Sequence, residues 1–116
     1  MSKVISKKHA KSAWVSGSKK EEKPWGDEII WVSLPSIQGK LITIRQGHRT
    51  SFKYNSLKNE CLFVLSGEVM ALYGAEYTIQ DPVGYPLQTT TLRPGQCLNV
   101  QSGCPYRLTA IEDSVV

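Results

Sequence analysis

Three cysteines and two histidines are the residues of this chain best able to hold a metal or supply a nucleophile. Cys61, Cys97 and Cys104 show no Cys-x-x-Cys spacing. Their odd number makes no paired disulfide framework, which points to reduced thiols in a cytoplasmic setting. Cys61 and Cys97 lie in apolar stretches and read as small buried hydrophobes, whereas Cys104 lies in a turn and reads as more exposed. His48, between Gly47 and Arg49, reads as a turn or rim residue, and His9 sits in a lysine-rich tail with no role assigned. Arg45, Arg49, Arg93 and Arg107 have the planar fork that suits carboxylate or phosphate, although each reads first as a solvated surface residue. Arg107 follows Tyr106 and, by strand alternation, points away from it.

The elements that must position these groups are strands. Segments 27–34 (DEIIWVSL), 39–46 (GKLITIRQ), 60–65 (ECLFVL), 68–73 (EVMALY), 88–93 (QTTTLR), 96–100 (QCLNV) and 105–111 (PYRLTAI) are rich in β-branched and apolar residues. Pro35, Ser66-Gly67, Pro94-Gly95 and Ser102-Gly103 punctuate them. Segments 60–65 and 68–73, separated by one short turn, read as a hairpin. Residues 74–87, with two prolines and two glycines, read as a loop excursion. Ser114-Val115-Val116 reads as the start of a further strand. A helical turn fits only within residues 5–15. Seven or eight short strands separated by Gly and Pro predict an all-β sandwich or small barrel. Trp25, Trp31, Phe52, Phe63, Tyr73 and Tyr85 read as core or interface packing.

A length of 116 residues fits one domain. No apolar run approaches the roughly 18 residues of a membrane span, and the lysines near the N-terminus precede no apolar signal core. The net charge of +4 is unevenly placed. Residues 1–23 hold seven lysines against two acids, and residues 24–116 hold seven Lys and Arg against eight acids. The basic character thus belongs to a tail, which reads as a mobile extension over residues 1–22, followed by a folded domain over 23–116. Nucleic-acid binding needs a basic stripe on the folded body, and the body lacks one. Trp14 favours some docking of the tail.

Two segments carry a resemblance. Gly47, then Lys53-Tyr54-Asn55, then Glu60 and Gly67 are spaced like the first cupin motif, and Gly95, Gly103 and Tyr106 are spaced like the second. The phrases Lys23-Pro24-Trp25-Gly26 and Gly47-His48-Arg49 resemble cupins related to mannose-6-phosphate isomerases and other sugar-phosphate enzymes. The resemblance covers residues 23–116. It implies a cupin-type double-stranded β-helix, a jelly-roll barrel, with a basic, partly disordered N-terminal extension. It also implies a homodimer formed through N-terminal strands, for which Trp14 and Ile29-Ile30-Trp31-Val32 are suited.

In metal-binding cupins, two His and the Glu of the first motif join a His of the second around one ion. Here those His positions hold Lys53, Asn55 and Tyr106, and only Glu60 is kept. Protonated lysine repels a cation, an amide oxygen is a weak ligand, and a phenol must first lose a proton near pH 10. The expectation is therefore no metal and no cofactor. The resemblance points Lys53, Asn55, Glu60 and Tyr106 into the barrel. There a Lys53–Glu60 ion pair would fill a vestigial site, or the four residues with Arg45 would bind a small sugar- or phosphate-like ligand. This makes the chain a non-metal cupin binding or accessory module. The alternative is an isomerase- or epimerase-like enzyme with Glu60 as base and Tyr106 or Lys53 as acid.

Overall fold

The computed structural model describes residues 10–116. Nine strands follow one another: β1 (Lys19–Lys23), β2 (Gly26–Ser33), β3 (Gln38–Ile44), β4 (Glu60–Phe63), β5 (Val69–Tyr73), β6 (Gln88–Leu92), β7 (Cys97–Val100), β8 (Tyr106–Ala110) and β9 (Ser114–Val115). No helix occurs among the described residues, so the turn expected within residues 5–15 is not seen over 10–15, and residues 1–9 lie outside the description. Every pairing is antiparallel.

The strands form three sheets, ordered β1-β2-β3-β9, β4-β7 and β6-β5-β8. Short bridges join them. The 47–53 segment runs along the free side of β8, with Gly47 N donating to Ala110 O, Thr50 N to Leu108 O and Lys53 N to Tyr106 O. Arg107 Nε adds a bond to Thr50 O at 2.9 Å, and Leu108 N donates to Thr50 Oγ1 at 3.1 Å. Ser66 bridges to Val115 and ties β9 to the end of the β4 segment. Val116 and Ile42 exchange both backbone bonds, so the Ser114-Val115-Val116 segment is a paired strand end against β3.

Alternation sorts the side chains. Tyr106, Leu108 and Ala110 of β8 are buried while Arg107 and Thr109 are less so. Val69 and Ala71 of β5, Leu98 and Val100 of β7, with Ile44, Val64 and Leu92, complete the core; Trp25, Ile42, Leu62 and Tyr73 pack against it. Trp31, Phe63 and Tyr85, expected to pack, keep 58%, 46% and 43% of their surface exposed.

Three features correct the sequence reading. Segments 60–65 and 68–73 do not pair as a hairpin: β4 pairs with β7 and β5 with β6 and β8. Gly67, at φ +86°, lies against Ser114 and the Asp113 carbonyl, so the turn carries the chain from one sheet to another. Cys61 and Cys97 are exposed, not buried, because Leu62 and Leu98 take the inward positions of β4 and β7. Finally, the lysine-rich tail contributes a strand. β1 pairs in full register with β2, from Lys19 opposite Ile30 to Lys23 opposite Gly26.

Candidate functional site

The inner wall is built from alternate positions of several strands. Register places Glu21 opposite Glu28, and Glu28 opposite Ile42. Glu21, Lys23, Glu28 and Lys40 therefore share the face of Ile42 and Ile44, which meets the core. Glu28 is only 5% exposed. Its Oε2 lies 3.5 Å from Lys40 Nζ and 4.0 Å from Lys23 Nζ, and Lys23 also approaches Glu21 at 3.7 Å. A carboxylate so buried needs such partners. Gly26 makes this arrangement possible, since a Cβ there would overlap the Thr43 carbonyl and push β2 off β3.

Glu60 opens β4 and faces inward, and Tyr106 opens β8. The Tyr106 hydroxyl donates to Glu60 Oε2 at 2.5 Å. Burial pushes the Tyr106 phenol well above its ordinary range; the hydrogen bond to Glu60 and the charges of Glu60 and Glu28 push the same way. Tyr106 is thus a donor held protonated against the Glu60 carboxylate.

The remaining expected residues are placed differently. Lys53 is exposed. Its backbone exchanges both hydrogen bonds with Tyr106, so the two side chains leave the same face, but Lys53 reaches the rim. There it lines a recess of about 270 Å³ with Phe52, Tyr54, Ile79 and Pro105. Among the described residues Lys53 makes no ion pair with Glu60. The Asn55 Oδ1 accepts from Leu57 N at 2.9 Å and Lys58 N at 3.0 Å, a turn-building role that commits the oxygen locally. Arg45 donates to the Pro24 carbonyl at 3.0 Å, outside the barrel interior. His48 lies in the turn expected of it, its Nδ1 3.1 Å from Gln46 O.

The donor set does not suit the metal that cupins of this motif hold. One retained carboxylate oxygen is taken by a phenol that resists deprotonation, the amide oxygen caps a turn, and the lysine is cationic. Glu28 and its two lysines were not legible in the motif. Alternation from Gly26 would have put Glu28 inward, but the apolar run 29–32 covers both faces and hides that register, as does the bulge between Ile30 and Val32.

Comparison with solved structures agrees with this architecture. The chain is similar to Drosophila melanogaster CENP-C bound to CAL1, with 15% identity over 84% of this chain and 72% of that one and a TM-score of 0.69. A cupin superfamily protein from Desulfitobacterium hafniense gives 14% identity, 76% and 69% coverage and a TM-score of 0.62. Hydroxypropylphosphonic acid epoxidase from S. wedmorenis gives 20% identity and a TM-score of 0.65 over 84% of this chain, which spans about half, 52%, of that protein. No family profile and no curated protein sequence matches the chain. The fold is that of a cupin jelly roll, a class that serves both an enzyme and a protein-bound domain among these neighbours.

Proposed function

We propose that the chain is a cupin-fold binding or accessory module that takes a small polar, sugar- or phosphate-like ligand without a metal. The Tyr106–Glu60 hydrogen bond carries this reading, because it occupies the one acidic group that the metal-binding motif retains. Glu60 and Glu28 offer acceptors for hydroxyls, while Lys40 beside Glu28 and the exposed Lys53 offer cations for a phosphate. The acid–base alternative finds less support, since a phenol pushed far above its ordinary range is a weak proton donor at neutral pH.

Elemental analysis of protein purified without chelators tests the metal-free part. The expected result is no stoichiometric Fe, Mn, Ni or Zn that Glu60→Gln removes; such an ion would overturn it. Mannose 6-phosphate, mannose and inorganic phosphate are suitable calorimetric probes. Binding of the phosphorylated sugar that weakens about tenfold in Lys53→Ala supports the ligand class, and turnover of it abolished by Glu60→Gln would favour the enzyme reading instead.

The module is proposed to work as a homodimer through β1, the open edge of the four-stranded sheet. The run Lys19-Lys20-Glu21-Glu22 puts both signs of charge on this edge, and an antiparallel pairing of two copies centred on Lys20 sets each Lys19 against the other copy's Glu21. Beside this edge, Trp14, Ile30, Trp31 and Leu34 line a groove of about 780 Å³.

A further inference from the structure

The outer face of the β4–β7 pair carries two thiols that no part of the interior site uses. Cys61 stands opposite Asn99, and Cys97 stands opposite Phe63, so the two cysteines are diagonal neighbours across one antiparallel pair. Both are exposed. They feel one another: local desolvation raises the Cys97 thiol above its ordinary value although the residue is exposed, and the charge and hydrogen bonding of Cys61 raise it further.

Diagonal residues of this kind have Cα atoms about 7–8 Å apart. A disulfide accepts about 4.4–6.8 Å, so direct S–S bonding needs backbone movement. An ion between the sulfurs does not. With thiolate–metal bonds of about 2.3 Å, two sulfurs flanking one ion sit up to about 4.6 Å apart. Zinc asks for three or four donors, and among the described residues no group of three His, Cys, Asp or Glu assembles. Two thiolates alone suit a soft cation that accepts two ligands.

We propose that Cys61 and Cys97 form a two-thiolate site for a soft monovalent cation of the copper(I) or silver(I) type on the outer face of β4–β7. On binding, two S–H bonds break, two sulfur–metal bonds form, and two protons pass to solvent; nothing is oxidised or reduced. The site lies outside the barrel, so its failure leaves the interior ligand reading untouched, and the reverse holds too.

Anaerobic titration of the full chain with copper(I), in competition with a chromogenic copper(I) chelator, tests it. One ion per chain is expected for the wild type and for Cys104→Ser. Cys61→Ser and Cys97→Ser, both at exposed positions, should each weaken binding at least 100-fold. Unchanged affinity in either variant, or no binding by the wild type, overturns the site. A second reading uses the wild type alone: silver(I) should protect Cys61 and Cys97, but not Cys104, from alkylation followed by peptide mass spectrometry. Equal protection of all three thiols, or of none, overturns it as well.

Discussion

The Tyr106 hydroxyl donates to Glu60 Oε2 across the barrel interior, joining the first residue of β8 to the first residue of β4. The two residues are 46 positions apart in the chain, yet the fold brings their side chains into direct contact.

This contact sets a pH dependence. The Tyr106 phenol is raised in the folded state relative to a free tyrosine near pH 10. Its contribution to stability is therefore complete below pH 10 and is lost as pH climbs from there toward the folded value. Tyr106→Phe should remove this alkaline loss. It should also cost about 1–3 kcal/mol at neutral pH, because the Glu60 carboxylate loses a donor. Urea unfolding of both proteins at pH 7, 9 and 11 measures both effects.

Glu28 is buried with Lys40 and Lys23 as its ion-pair partners. Removing its charge leaves two lysines directed at a neutral group. Glu28→Gln should lower stability by about 1–2 kcal/mol, less than for a fully enclosed pair, because both lysine side chains remain partly wetted. It should also lower the apparent pKa of Tyr106, since Glu28 is one of the charges that raise it. An ultraviolet phenolate titration against the wild type reads that shift.

Gly67 turns the chain between sheets at φ +86°, with Ser114 where a Cβ would stand. Ser114 also accepts from Glu68 N at 3.0 Å and donates to nearby carbonyls. Gly67→Ala should destabilise by about 1–3 kcal/mol, whereas Gly47→Ala, with open space around it, should cost less. Thermal melts of the two variants give the comparison.

The proposed dimer predicts a light-scattering mass of twice the 12.9 kDa chain. Reversing Lys19 and Lys20 to glutamate should shift the protein toward monomer by placing like charges across the pairing. A monomeric wild type at high micromolar concentration would count against β1 as the interface.

Most strand positions were legible because Gly and Pro fall between them, as at Pro35, Gly67 and Gly95. Pairing was less so. A short turn between two apolar runs reads as a hairpin, and only tertiary contact with Ser114 shows that Gly67 redirects the chain. The expected burial of both Glu60 and Cys61 conflicts with strand alternation: neighbours on one strand cannot both face inward, and Glu60 takes that side. Spacing also located Lys53 and Asn55 without revealing where their side chains go. Asn55 is captured by its own turn, and Lys53 follows the Tyr106 face but extends to the rim.

One relationship gives the lysine-rich strand a meaning beyond charge. Lys23 of β1 approaches Glu28, and Glu28 acts on the Tyr106 phenol. Separating β1 from β2 would withdraw one of the two lysines that face the buried Glu28 and leave Lys40 as its partner.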